Sequence, residues 1–360
     1  MNRCGVAWCV KALGTAVCLA ATVALGQSVG QAGPADGALQ AKLQAAVDAR
    51  VAAGAGKVAL YAVQLKTGTS VGVDADRPVQ TASVIKLGIL YEAMVAVREG
   101  RARWDEPVVL KKGEALPGSG ILTLLDAPLT ITLKDALTLM VIVSDNTATN
   151  LMIDRFGIDR VNARMEALGL KNTHLYKKVF KPAEGPMPAD QPRFGLGKTT
   201  PREMAALMIE IGTCRLRPAP PVPSMAPGVS YAAPVVMPPD DADKAVCSVG
   251  LQMLKEQFYR ETIPRYLESA DVTTTGGVAI ASKTGSLDAV RADVAIVAGK
   301  TGPMVLAIFT YDNRDHGWTV DNEGEVTIAR LAKEIVSAWS PEGLDGKLLV
   351  PGLGLDAVAK

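Results

Sequence analysis

A chain of 360 residues with 48% hydrophobic side chains has enough apolar material for a large core, in one big domain or two. Its 38 basic and 37 acidic side chains leave a formal charge of +1, which argues against nucleic acid as the main partner. The histidines are His174 and His316 alone, and no HExxH or CxxC spacing occurs, so neither a metal site nor a metal cofactor is expected.

Arg3 and Lys11 lead into a small, apolar run from Ala12 to Gly26, where Ala24-Leu25-Gly26 precedes a cleavage point. This is the pattern of an export signal over residues 1–26, shorter than a membrane span, with an uncleaved anchor as the competing reading. Cleavage removes Cys4, Cys9 and Cys18. Cys214 and Cys247 then remain as an even pair in an oxidising compartment, and the expectation is a disulfide rather than two buried thiols. The expected location is periplasmic or secreted, with no stable membrane anchor after cleavage.

Residues 27–38 read as a flexible leader, and Leu39 to Val51 have helical spacing. Residues 57–78 read as two strands joined by the turn Lys66-Thr67-Gly68. A helix follows from Ser83, with Leu87, Leu90, Tyr91, Met94 and Val97 as its apolar stripe and Gly100 as its stop. Lys86 lies inside that stripe, one turn past Ser83, where either its stem carries the charge out to water or the charge is held for a purpose. Residues 130–157 read as two helices, the first opened by a Thr132/Asp135 capping box and the second ended by Gly157. A third covers residues 157–170, and Thr200-Pro201-Arg202-Glu203 starts another that ends near Gly212. Residues 215–240, rich in proline, read as an exposed loop tethered by the two cysteines. Residues 278–287, 291–299 and 302–312 read as three strands. A last helix carries Ile328, Leu331, Ile335 and Trp339 on one face, before a tail from 346 to 360. Strands at both ends of the chain predict one antiparallel sheet. Within a domain of residues 39–345, an α/β lobe (about 39–82 plus 272–345) then packs against a helical lobe (about 83–271). A site between the lobes is expected.

Three segments carry chemistry. The helix over 133–143 is apolar all round in its second half and runs straight into Ser144-Asp145-Asn146. Polar side chains leaving a buried segment must cap the next helix or line a polar cavity. Lys-Thr-Gly occurs three times, and the copies at Lys66 and Lys300 are natural turns. The copy at Lys283 instead follows the apolar run VAIAS, inside a strand expected to face the cleft. No G-x-S-x-G elbow is present, and both histidines sit in loop-like surroundings, so a Ser-His-Asp triad is not expected.

Taken in order, S-x-x-K at 83, S-D-N at 144 and K-T-G at 283 resemble the motif set of class A β-lactamases and penicillin-binding proteins. SDNTATNLMID, GKTTPREM and ASKTGSLDAVRADVAIV bring the chain nearest to class A, and the likeness runs from about Leu39 to Trp339. The resemblance implies an α+β, β-lactamase/transpeptidase-like fold, with a five-stranded antiparallel sheet flanked by helices and a mostly helical second lobe. It makes Ser83 the nucleophile and Lys86 its base, with the lysine pKa lowered by burial and by Lys283. The backbone N–H groups of Ser83 and Ser286 form the oxyanion hole, and Ser144 passes a proton to the leaving nitrogen. Asn146 holds Lys86 and the substrate amide, and Lys283, Thr284, Gly285 and Ser286 line the carboxylate site. Arg291 is a weaker carboxylate candidate, against a surface role. The implied activity is that of a secreted, cofactor-free serine hydrolase, a monomer, that opens β-lactams through an acyl-enzyme. A peptidoglycan DD-peptidase or other peptide or ester hydrolase, and a penicillin-binding or wall-binding protein without turnover, are the alternatives.

One departure stands out. Class A enzymes carry a deacylating glutamate in an E-x-x-L-N loop, and residues 175–201 contain none. Glu184 and Asp190 are the acids of that stretch before the helix start. Glu184 is a displaced base or a solvated loop carboxylate, in a loop reshaped by Pro182 and Pro186.

Overall fold

The computed structural model describes residues 36–216, 238–268 and 277–353. The expected export signal, most of the leader and of the proline-rich loop, and the end of the tail lie outside the described residues.

In chain order the helices and strands are α1 (Gly37–Ala52), β1 (Lys57–Gln64), β2 (Ser70–Val73), β3 (Val79–Gln80), α2 (Lys86–Arg98), β4 (Pro107–Leu110), β5 (Leu129–Thr132), α3 (Leu133–Ile142), α4 (Asn146–Phe156), α5 (Ile158–Ala167), β6 (His174–Leu175), α6 (Gln191–Phe194), β7 (Gly197–Thr199), α7 (Pro201–Gly212), α8 (Asp241–Lys255), β8 (Ile280–Leu287), β9 (Val290–Gly299), β10 (Gly302–Tyr311) and α9 (Glu323–Trp339). No helix among the described residues is long and apolar enough to cross a membrane.

The expected five-stranded sheet is present, in the order β2-β1-β10-β9-β8. Every pairing is antiparallel, with Leu60 opposite Ile308 and Lys283 opposite Val294. Side chains alternate across a strand, so the sheet divides its apolar residues between two cores. Val58, Leu60 and Ala62 face Leu39, Leu43 and Val47 of α1 and Ile328, Leu331, Ile335 and Trp339 of α9. Ala59, Tyr61 and Val63 face the other way, into the core built around α2. Each fully buried Leu or Ile contributes about 1.5–3 kcal/mol, so the sheet is fixed from both sides.

The helix boundaries follow local chemistry. Asp36 accepts a hydrogen bond from the Leu39 amide, so α1 starts at Gly37, inside the segment expected to be leader. Thr132 and Asp135 close the expected capping box on α3. Thr200 caps α7, with Pro201 at its first position. Gly157, at φ +82°, ends α4 and opens α5. The expected disulfide joins Cys214, just past α7, to Cys247 of α8. Two small sheets were not expected: the hairpin β4–β5 and the trio β3-β7-β6. Their strands are two to four residues long, too short to show a period in the sequence.

Candidate active site

A single 3₁₀ turn over Ala82–Ile85 leads directly into α2, whose first residue is Lys86. Ala82, just before Ser83, has φ +44°, a left-handed conformation that costs a residue with a Cβ. The turn lies against the edge strand β8. A Cβ on Gly285 would come within 2.9 Å of the Ser83 amide nitrogen and 3.0 Å of the Val84 amide nitrogen. Only glycine lets the strand come so close to the backbone at the serine. Ser83 itself is half-buried and so can be reached from solvent.

Lys86 has no exposed surface, so snorkelling does not account for it. Its Nζ donates to the Ser144 carbonyl at 2.7 Å, to Ser144 Oγ at 3.0 Å and to Asn146 Oδ1 at 3.5 Å. Lys283 is equally buried and donates from the other side, to Ser144 Oγ at 3.1 Å and to the Thr284 carbonyl at 2.7 Å. The Ser144 hydroxyl thus accepts from two amines, which leaves its own O–H to donate elsewhere. Ser144 sits at φ +52°, strained backbone between α3 and α4.

Burial lowers the Lys86 pKa well below the usual lysine value. The nearby Lys283 lowers it further, and Asp145 opposes the shift. Burial also brings Lys283 down to about 7, against the opposing pull of Asp293. Burial raises the Asp293 carboxyl above its ordinary range, although it accepts a 2.7 Å hydrogen bond from Thr262.

Asp145 explains how the site is held. It caps α4 by accepting from the Ala148 amide at 2.9 Å. Its second oxygen accepts from the Ile121 and Leu122 amides at 2.7 and 2.8 Å. One buried carboxylate therefore ties the loop around Gly118 to the helix that carries Asn146. The Asn146 side chain donates to the Pro117 carbonyl at 3.1 Å. The sequence left the polar side chains of Ser144-Asp145-Asn146 either to cap the next helix or to line a polar cavity; Asp145 is the cap, and its loop contacts had no sequence signal. The clamp made by Asn150 had no sequence signal: its side chain takes both the N–H and the C=O of Val179, at 2.8 and 3.1 Å.

Ser83, Lys86, Ser144, Asn146, Lys283 and Gly285 are thus gathered in one place from three distant parts of the chain. Thr284 and Ser286 alternate with Lys283 and Gly285 along β8, and Thr284 is buried opposite Asp293. Arg291 is not a surface residue. It is fully buried, pairs with Glu325 at 3.0 Å and donates to the carbonyls of Leu287, Val290 and Gly317. Its planar guanidinium, with five donors, suits a buried site saturated by acceptors. Glu184 is exposed on its loop, and none of the hydrogen bonds of the site reaches it. His174 bonds the Lys171 carbonyl, and His316 is exposed in its turn.

The sequence profile described as the beta-lactamase enzyme family matches residues 38–217 and 241–339. A solved β-lactamase from Sphaerobacter thermophilus DSM 20745 is 28% identical, over 83% of this chain and 97% of its own, with a TM-score of 0.65. PBP-A is 24% identical over 86% of this chain and 99% of its own, at a TM-score of 0.65. An ancestral class A β-lactamase is 18% identical over 83% and 99%, at a TM-score of 0.63. The last two likenesses are of fold. No protein of curated function matches the chain by sequence. The chain belongs to the beta-lactamase enzyme family.

Proposed function

We propose that the protein is an exported β-lactamase that opens β-lactam antibiotics through an acyl-enzyme on Ser83. The observation that carries this reading is the Ser144 hydroxyl held between two fully buried lysine amines, 3.0 and 3.1 Å away, beside the serine-bearing turn. Lys86, whose burial favours the neutral amine, takes the proton of Ser83 as its oxygen attacks the lactam carbonyl. The backbone N–H groups of Ser83 and Ser286 hold the oxyanion. The C–N bond then breaks, and Ser144 gives its proton to the leaving nitrogen while the proton on Lys86 replaces it. Asn146 donates to the substrate's side-chain amide, and Lys283, Thr284 and Ser286 hold its carboxylate.

Deacylation needs a base to activate water. The exposed position of Glu184 favours a second reading, a DD-peptidase or penicillin-binding protein whose adduct persists. Intact-mass spectrometry over time with benzylpenicillin separates the two. A β-lactamase shows an adduct that returns to the free mass within minutes; a lasting adduct supports the second reading. Ser83→Ala is expected to form no adduct. If it labels as fast as the parent protein, Ser83 is not the nucleophile.

A further inference from the structure

Phe180 is poorly explained by folding. It is 63% exposed, and its φ of +55° is unfavourable for an aromatic residue. No burial repays that strain. Yet the residue before it, Val179, is clamped through both backbone groups by the buried side chain of Asn150, so the backbone that carries the ring is anchored. Its position is informative. A Cβ built on Gly118 would lie 3.6 Å from the ring atoms Cε2 and Cζ of Phe180 and 2.9 Å from Nδ2 of Asn146. The ring and the Asn146 amide therefore border the same spot beside Gly118, which the absence of a side chain there keeps clear.

We infer that Phe180 is a specificity-determining residue: its ring is the platform for an aromatic or bulky apolar side chain carried on the acyl group of the substrate. The inference rests on the reading above, in which Asn146 donates to the amide from which that side chain extends. A group leaving the amide on the Gly118 side meets the Phe180 ring next. Exposed strained backbone that is rigidly held beside a reactive centre is where function, not stability, accounts for the geometry. A ring on this rim gives stacking and apolar contact without any charge requirement.

The test compares second-order acylation rates of the full chain with two penicillins: benzylpenicillin, and its acetamido counterpart, which keeps the amide and lacks the ring. Phe180→Ala is expected to slow benzylpenicillin about tenfold, the effect of losing one ring contact, and to change the acetamido compound less than about twofold. Phe180→Tyr is expected to restore the preference. Equal loss with both compounds, or no loss with either, overturns the assignment of Phe180 and leaves the serine chemistry standing. If neither penicillin acylates the unaltered chain, the serine reading fails and this inference fails with it.

Discussion

At the scale of single residues, the informative feature is two lysines sharing one hydroxyl. Two ammonium groups brought together out of water repel, and desolvation disfavours each charge separately. Both are pushed down, Lys86 well below the usual lysine value and Lys283 to about 7. In the proposed reaction the base must be neutral and the carboxylate-binding amine charged. Acylation by benzylpenicillin is therefore expected to fall as pH rises through about 7, where Lys283 loses its proton. Lys283→Arg keeps its charge and is expected to remove that fall, which a pH series of acylation rates measures. Stability has the opposite slope. The folded pKa of Lys283 lies below the unfolded one, so between the two the unfolded chain binds more protons. Resistance to urea is therefore expected to rise from pH 7 towards pH 10, and Lys283→Met is expected to reduce that rise, leaving the part that Lys86 contributes. Lys86 was conspicuous in the sequence because it interrupts an apolar stripe. The left-handed backbone at Ser144 was not, since serine does not signal that conformation.

At the scale of elements, Asp145 is the joint. Its carboxylate satisfies three amides, one in α4 and two in the loop after Gly118. Hydrogen bonds to a buried charge are the strong ones, and an amide left without its acceptor costs about 1–3 kcal/mol. Asp145→Asn is expected to lower stability by about 2–3 kcal/mol, read from the urea midpoint. It is also expected to slow acylation, because Ser144 and Asn146 flank the altered residue. The sequence was readable where it described helices through their caps: Thr132 with Asp135, Thr200 with Pro201, and Gly157 all stand at the expected boundaries. It was not readable where an element consists of a few residues fixed by distant partners. β3 and β6 are two residues each and exist because β7 lies between them. The clamp of Asn150 on Val179 is likewise a tertiary contact between polar groups, with no periodicity to reveal it.

At the scale of the molecule, the five-stranded sheet and its two helical faces follow from alternation and from apolar runs long enough to be counted, as in β8 to β10. The position of the 181–190 loop relative to the site does not follow from such patterns, and so Glu184 was left with two readings. The disulfide spans 33 residues between α7 and α8, and removing it frees the unfolded chain. Cys214→Ser with Cys247→Ser is expected to cost about 3–4 kcal/mol, measured as a lower urea midpoint, with acylation at 25 °C preserved because neither cysteine touches the site. The pairing of β1 with β10 has a further consequence. During translation β1 emerges early and its neighbour late, so the ribosome must pass Tyr311 before the sheet can close. Until then the nascent polypeptide holds an unpaired strand edge and a serine without its second amine. A premature stop codon before β8 therefore leaves no partly working fragment, only a chain for proteases to clear.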